Sequence, residues 1–207
     1  MKSDEPIVYL VDDDAALRDA VADLLASVGI ETIAFGSASE YKAAVKRDAP
    51  SCLILDIELP DINGRDFQQQ MTDGEHPPVV FITGHGDIPS SVRAMKAGAV
   101  DFLPKPFSQE ALMGAIKSAV ARHKESRQRR SEINALRGKY SLLTPREREV
   151  FTLVVSGLLN KQSASKLGIS AFTFQIHRGQ VMRKMAATSL SDLVRMSEKL
   201  GNHASGG

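Results

Sequence analysis

Five polar side chains stand at or just after the ends of short apolar runs in the first half of the chain: Asp12, Asp13, Asp56, Thr83 and Lys105. Three carboxylates gathered within a few ångströms repel one another, so they must be protonated, paired or bridged by a cation. Oxygen ligands of this kind suit Mg²⁺, which also takes phosphate oxygens. A cation there would shield an incoming phosphoryl group and make a carboxylate an adequate nucleophile.

The two remaining side chains complete a pocket for phosphoryl chemistry. Lys105 would supply a further positive charge, and the hydroxyl of Thr83 would form a hydrogen bond with a phosphoryl oxygen. Any one of the five is as well explained as a solvated loop residue. Their shared position at strand ends favours a site.

The elements that must position these groups alternate between short apolar strands and amphipathic helices. Strands are predicted at 7–11, 31–35, 52–56, 78–83 and 101–103. Helices are predicted at about 15–28, 39–47, 65–71, 89–97 and 108–122. Five strand-then-helix units with nearly continuous apolar strands indicate an α/β, doubly wound parallel sheet. Ligands bind beyond the carboxyl ends of such strands, where the five polar groups fall.

The distribution of charge indicates a second domain. Of the 207 residues, the first 123 carry 11 Lys+Arg against 19 Asp+Glu, whereas the rest carry 15 against 6. A basic C-terminal part favours a polyanionic partner, because neutralising phosphates releases counterions. A membrane surface is a weaker alternative. We predict a domain at 1–122, an exposed helical linker at 123–140, a second domain at 141–201 and a disordered tail at 202–207.

The second domain is predicted to be all helical. Helices are expected at about 145–156, 160–167, 171–185 and 189–200. Thr144, Pro145 and Glu147 form a sound helix start, with a capping hydroxyl, a first-turn proline and an early acid. Gly157 and Gly168 are natural helix stops.

Other features exclude several classes of protein. No apolar run approaches the roughly 20 residues of a membrane-spanning helix, and the start MKSDEP is too polar for a signal peptide, so we expect a cytoplasmic protein without membrane contact. Cys52 lies inside an apolar run, which predicts a core residue without an intrachain disulfide. The five histidines lack the spacing of a zinc site.

The first domain resembles the receiver domains of response regulators over residues 6–122. The matching stretches are VDDD at 11–14, LDIELPDINGRDF at 55–67, FITGHGD at 81–87 and AMKAGAVDFLPKPF at 94–107. The resemblance implies a flavodoxin-like fold and phosphorylation of Asp56 by a sensor histidine kinase. It also implies that Asp13, Asp56 and the Glu58 carbonyl hold Mg²⁺ with help from Asp12.

The same resemblance implies a conformational switch. Thr83 and Lys105 would contact the phosphoryl group, and Phe102 matches the aromatic residue that moves on activation. The alternative for Phe102 is a plain core residue. The peptide bond between Lys105 and Pro106 would be cis, a form that proline makes accessible. The family dimerises through the surface formed by helix 89–97 and strand 101–103, so we expect a phosphorylation-dependent homodimer.

Residues 142–200 resemble the helix-turn-helix output domain of the NarL/FixJ class, also called the LuxR type. The matching stretches are LTPREREVFTLVVSGLLNKQSASKLGIS and FTFQIHRGQVMRKM. Ser170 would cap a recognition helix that enters the major groove of double-stranded DNA. Contacts to bases or nearby phosphates are expected from Thr173, Gln175, Ile176 and Arg178. Contacts to phosphates are expected from Lys161, His177, Arg183 and Lys184.

The second domain departs from the usual sequence of this class at several positions. Gln175 stands where lysine is frequent, and Ser163 replaces a usual isoleucine. Gly179 costs roughly 1 kcal/mol of helix propensity relative to alanine. Ala186-Ala187-Thr188 replaces a turn that usually resembles Gly-Val-Arg.

The interpretation that unites both halves is a two-component response regulator that controls transcription, with RNA polymerase as a further partner and no enzymatic role. Two alternatives remain open. A phosphohydrolase that forms an aspartyl phosphate also pairs carboxylates with Mg²⁺, but it resembles Asp-x-Asp-x-Thr, whereas Ala16 stands where the threonine is needed. The other alternative is a helix-turn-helix domain that binds protein instead of DNA.

Overall fold

The structure is a computed structural model that describes residues 5–62, 76–84, 95 and 98–201. The chain divides into two compact units, Met1–Arg127 and Gln128–Gly207. None of the helices among the described residues is long and apolar enough to cross a bilayer.

A five-stranded parallel sheet forms the centre of the first unit. Its strands are β1 (Ile7–Val11), β2 (Glu31–Phe35), β3 (Ser51–Asp56), β4 (Val79–Thr83) and β5 (Asp101–Pro104), arranged in the order β2-β1-β3-β4-β5. The register pairs Val11 with Leu55, and Asp56 with Ile82. The predicted α/β class and doubly wound sheet are confirmed, with each strand within one residue of its predicted bounds.

Apolar side chains cover both faces of this sheet. One face carries Tyr9, Leu53 and Phe81 in a buried cluster, and the other carries Leu10, Ile54 and Ile82. Successive strand residues point to opposite faces, so the unbroken apolar runs in β1, β3 and β4 supply both cores at once. Cys52 is buried in the second cluster as a free thiol, as predicted.

Among the described residues, the helices up to residue 141 are α1 (Ala15–Ser27), α2 (Ala38–Ala43) and α3 (Gln109–Ser141). The predicted helix at 39–47 was wrong at its end, because Ala44 takes an extended conformation. The predicted helix at 108–122 and the predicted helical linker at 123–140 form one continuous helix, α3. The linker was predicted to be exposed, but His123, Ile133 and Leu136 within it are buried. The predicted helices at 65–71 and 89–97, and the predicted disordered tail, lie outside the described residues apart from Met95.

The second half of the chain is helical throughout its described part. After α3 come α4 (Pro145–Val155), α5 (Asn160–Lys166), α6 (Ala171–Met185) and α7 (Leu190–Gly201). Val150, Phe174, Val181 and Leu193 are fully buried in their common core. The helices therefore bury one continuous apolar cluster, as the sequence predicted for an all-helical domain.

Capping groups fix the ends of these helices as predicted. Thr144 and Glu147 form a reciprocal capping box at the start of α4, and the Ser170 hydroxyl accepts a hydrogen bond from the Thr173 amide at the start of α6. Gly157 and Gly168 take positive φ after α4 and α5. At the end of α6, Ala186 adopts the left-handed conformation, with φ 53° and ψ 38°.

Candidate functional site

The carboxyl edge of the sheet gathers the polar groups that the sequence singled out. Asp12 follows β1, Asp56 ends β3, Thr83 ends β4 and Lys105 follows β5. Since β3 lies between β1 and β4, Asp56 stands at the middle of the edge, with Asp12 on one side and Thr83 on the other. Asp12, Asp56 and Thr83 are all buried.

Lys105 links two of the carboxylates. Its Nζ lies 2.7 Å from Oδ2 of Asp12 and 2.6 Å from Oδ2 of Asp56. Burial lowers the pKa of Lys105, but the hydrogen bonds and charges of the two aspartates outweigh it and raise that pKa above its usual value. Burial also raises the pKa of Asp12, against the opposing effect of the Lys105 hydrogen bond. Lys105 therefore balances negative charge that burial makes unfavourable.

The pocket also has the donor set of a divalent-cation site. Asp12, Asp13 and Asp56 each offer a carboxylate oxygen, and these oxygens lie within 4.8 Å of one another. Asp13 is exposed to solvent, whereas the other two are buried. Oxygen ligands with an exposed side fit Mg²⁺, which keeps several waters.

The backbone of Glu58 contacts the Asp56 carboxylate. Its N–H donates to Oδ1 of Asp56 at 2.9 Å, and its side chain is exposed. This bond holds Oδ1 of Asp56, whereas Lys105 contacts Oδ2 of the same carboxylate. The predicted role of the Glu58 carbonyl as a ligand stays a prediction.

Phe102 is placed in register with the pocket. It pairs with Phe81 on the neighbouring strand, two residues before Thr83, so Phe102 and Thr83 belong to the same face of the sheet. Phe102 is half-buried and packs against the core cluster of that face. The peptide bond between Lys105 and Pro106 is cis, as predicted, and the Lys105 amide donates to the Thr83 carbonyl at 2.7 Å.

Two residues at the pocket were not predicted from the sequence. Arg18 Nη1 donates to the Asp12 carbonyl at 2.6 Å, which places a second cation near the carboxylates. Asp14 caps α1 by accepting from the amides of Ala16 and Leu17. The position of Asp14 directly before a helix signalled a cap, and Arg18 follows one turn later.

In the second unit, α6 presents an exposed face made of residues at helical spacing. Gln175, Ile176, Gly179 and Arg183 are exposed along it, and Lys161 is exposed on α5. Thr173, His177 and Arg178 are half-buried. The opposite face of α6 carries the buried residues Phe174, Val181 and Met185. The expected contact residues thus fall on a surface that the core leaves open.

Several of the expected DNA contacts have partners within their own unit. Arg178 Nη1 donates to Oδ1 of Asn160 at 2.9 Å, and Lys184 Nζ donates to Oε2 of Glu147 at 2.6 Å. The hydroxyls of Thr173 and Ser170 share a hydrogen bond of 2.8 Å. These bonds give Lys184 and Arg178 structural roles that spacing alone did not reveal. Phe172, which sequence reasoning missed, is the most exposed large apolar side chain of α6.

Family models match both halves of the chain. Residues 8–117 match the response regulator receiver domain, and residues 141–197 match the bacterial regulatory proteins of the luxR family. The chain is a response regulator of the NarL/FixJ class. The resemblances stated from the sequence are thereby confirmed for both halves.

Known relatives of this response regulator match over nearly its whole length. It is 47% identical to nodulation protein W of Bradyrhizobium diazoefficiens over 200 residues, which covers 96% of this chain and 88% of the relative. It is 37% identical to the transcriptional regulatory protein FixJ of the same organism, covering 94% and 95%. The solved structure of the response regulator StyR matches with a TM-score of 0.81 and 43% identity, covering 94% and 99%. The family consists of transcriptional regulators.

Proposed function

We propose that Asp56 accepts a phosphoryl group from a sensor histidine kinase, and that this modification controls DNA binding by residues 141–201. The observation that carries the proposal is the contact of Lys105 Nζ with both Asp12 and Asp56, at 2.7 and 2.6 Å. This contact joins residues that are far apart in the sequence into one pocket, in which one ammonium group lies between two carboxylates. Asp56 is the proposed acceptor because it stands between Asp12 on one side and Thr83 on the other.

The residues present fit Mg²⁺. Asp12, Asp13 and Asp56 would hold it through carboxylate oxygens, and Glu58 through its carbonyl. The bound ion would shield the negative charge of the incoming phosphoryl group.

Phosphoryl transfer would involve the Asp56 carboxylate of this chain and a phosphohistidine of the kinase. A carboxylate oxygen of Asp56 forms a bond to phosphorus, while the phosphorus–nitrogen bond of the kinase phosphohistidine breaks. The electron pair of that bond returns to the imidazole, which takes a proton from solvent. Lys105 and Thr83 would then hold phosphoryl oxygens through their ammonium and hydroxyl groups.

The switch follows from the charge that is added. Phosphorylation adds about −1.5 to −2 charges and new acceptor oxygens, which attract Thr83 and Lys105. We propose that Phe102 repacks when Thr83 moves, because both belong to one face of adjacent strands. Its movement would reshape the surface around β5 and promote a homodimer. The helix predicted at 89–97, on which the rest of that surface depends, lies outside the described residues apart from Met95.

For the second unit we propose binding of double-stranded DNA through α6. Gln175, Ile176 and Arg183 are exposed on this helix, and Lys161 lies on the preceding one. Thr173, His177 and Arg178 border the same surface. Lys184 was predicted to contact phosphate, but its bond to Glu147 favours a structural role. A dimer would bind paired half-sites near a promoter, in the cytoplasm, and act with RNA polymerase.

The experiment treats the full-length chain with Mg²⁺ and acetyl phosphate, then follows phosphate incorporation, mass in solution and binding to genomic DNA fragments. The wild-type chain should respond in all three, and Asp56→Ala in none. Asp19→Asn, an exposed residue of α1, is the matched control and should behave as wild type. Labelling that persists in Asp56→Ala would place the acceptor elsewhere.

The two alternatives predict other outcomes. A phosphohydrolase would turn over a phosphate ester, which we do not expect. A domain that binds protein would show no duplex binding after phosphorylation. A DNA-binding domain should instead lose affinity steeply with salt, because each phosphate contact releases counterions.

A further inference from the structure

The exposed face of α6 begins with two apolar side chains. Phe172 is 75% exposed and Ile176 is 50% exposed. They are four residues apart in the helix, so their side chains are neighbours on one face. We call them the apolar pair. Phe174, only two residues from Phe172, is fully buried, so the domain core is already supplied with an aromatic residue at this level of the helix.

The position of the apolar pair matters more than its exposure. Single exposed apolar residues are common on protein surfaces. This pair, however, occupies the N-terminal half of α6, the part of a recognition helix that faces base edges. Gln175 lies between its members in the sequence and is exposed as well. The large side chains that are exposed on this half of α6 are therefore two apolar groups and one amide.

The major groove has one prominent apolar group, the C5 methyl of thymine. Guanine, cytosine and adenine present hydrogen-bond donors and acceptors there, which the apolar pair cannot satisfy. An amide such as that of Gln175 can bond adenine through two atoms. Burying a methyl group against Phe172 or Ile176 removes apolar surface of both partners from water.

We propose that Phe172 and Ile176 contact thymine methyl groups and give this response regulator a preference for thymine in its half-sites. The inference rests on the proposed function, since it requires that α6 binds double-stranded DNA. It adds Phe172 to the contact residues and names the chemical group that the pair recognises.

The test selects duplexes from a randomised library with the full-length chain treated with Mg²⁺ and acetyl phosphate. The most enriched duplex is then made with thymine and, at single positions, with deoxyuridine, which lacks the methyl group. Wild type should bind about threefold to fivefold more weakly for each contacted methyl that is removed. Phe172→Ala should bind the thymine duplex more weakly and lose sensitivity to deoxyuridine at one position. Ile176→Ala should lose sensitivity to deoxyuridine at a different position of the duplex.

Leu142→Ala is the matched control, because Leu142 is also an exposed apolar residue but lies outside α6. It should keep the wild-type response to deoxyuridine. Circular dichroism should show unchanged helix content in Phe172→Ala, since the side chain is largely exposed.

The outcomes separate this inference from the proposed function. Duplex binding with equal affinity for thymine and deoxyuridine overturns the thymine contact and leaves DNA binding intact. A Phe172→Ala variant that keeps the full deoxyuridine response overturns the role of Phe172. Failure of the phosphorylated chain to enrich any duplex overturns both.

Discussion

The ammonium group of Lys184, near the end of α6, lies 2.6 Å from Oε2 of Glu147, at the start of α4. The side chain of Glu147 is only 7% exposed, and the same oxygen accepts the Thr144 amide at 2.7 Å. One carboxylate therefore caps a helix and joins it to the helix that carries the proposed DNA contacts.

Glu147→Gln should destabilise the second unit by about 1–3 kcal/mol at neutral pH, because Lys184 loses a charged, largely buried partner. The hydrogen bonds from Lys184 and Thr144 lower the pKa of Glu147 to about 2. A depressed pKa means that the stabilisation is complete above the unfolded value near 4.5 and is lost as the pH falls towards 2. Hydrogen exchange of amides in 145–185 of the full chain measures this.

Glu149→Gln is the control for this experiment. Glu149 pairs with Arg146 on the same helix at 2.6 Å, but its side chain is 53% exposed, so solvent screens the pair. Its replacement should change stability little, and the acid dependence should match wild type. An equal loss of stability in Glu147→Gln and Glu149→Gln would show that burial of Glu147 does not strengthen its ion pair.

Ser163→Ala should stabilise the second unit by about 1–2 kcal/mol. Ser163 is fully buried in α5, and its hydroxyl has no hydrogen-bond partner in the described part of the chain. Removing an unsatisfied buried hydroxyl relieves its desolvation penalty. Ser165→Ala gives the same gain in helix propensity at an exposed site of the same helix, so the difference in hydrogen-exchange protection isolates the buried hydroxyl. A destabilised Ser163→Ala would contradict the prediction.

Ala186→Gly should stabilise the end of α6 by about 0.5–1 kcal/mol. Ala186 has a φ of 53°, a conformation that is unfavourable for residues with a Cβ and free of this strain for glycine. Ala187→Gly is the control, since Ala187 lies outside the left-handed region and packs against the core. That variant should lose stability. Two measurements on the full chain distinguish Ala186→Gly from Ala187→Gly: the thermal unfolding temperature, and hydrogen exchange of the amides in 171–185.

Gly179→Ala should separate stability from DNA binding. A Cβ at Gly179 would meet no atom of the described residues within 4 Å, so alanine should add roughly 1 kcal/mol of helix stability. The same Cβ would stand on the exposed face between Ile176 and Arg183, where we expect close approach of DNA. We therefore expect weaker binding to the selected duplex, by about threefold or more.

Gly138→Ala provides the comparison, because Gly138 is a helical glycine with equally open surroundings in α3. It should gain stability without any change in DNA affinity, measured by fluorescence anisotropy of the labelled duplex. Unchanged DNA affinity in Gly179→Ala would show that the glycine is not required for approach of the duplex.

Lys105→Met should bind Mg²⁺ more tightly than wild type, by at least about threefold. Lys105 contacts Asp12 and Asp56 and so competes with a cation for the same carboxylates. Isothermal titration calorimetry of the full chain measures the affinity. Lys117→Met, an exposed lysine of α3, should leave it unchanged. Weaker Mg²⁺ binding in Lys105→Met would mean that the lysine organises the carboxylates instead of opposing the ion.

The sequence predicted the strands and the pocket well because both depend on short-range pattern. Apolar runs set the strands, and a parallel sheet brings their carboxyl ends to one edge, so Asp12, Asp56 and Lys105 had to meet. The start of α6 followed from the capping hydroxyl of Ser170. The continuous α3 was harder, because its charged middle part lacks apolar periodicity and resembled a separate linker.

Side-chain partners across the fold could not be predicted in the same way. The bond between Lys184 and Glu147 joins residues 37 positions apart, and no local pattern distinguishes it from a lysine free to contact phosphate. Phe172 was missed for a related reason. Helical periodicity does not show which apolar residue of FTF the core will take, and the packing buries Phe174 instead.

The contact between Lys105 and Asp56, 49 residues apart, has a consequence for the life of the chain. During synthesis the aspartate leaves the ribosome well before the lysine and before β4 and β5, so a growing chain carries the proposed acceptor without its surroundings. We therefore expect phosphorylation of Asp56 only in chains that have completed β4, β5 and the Lys105 contact.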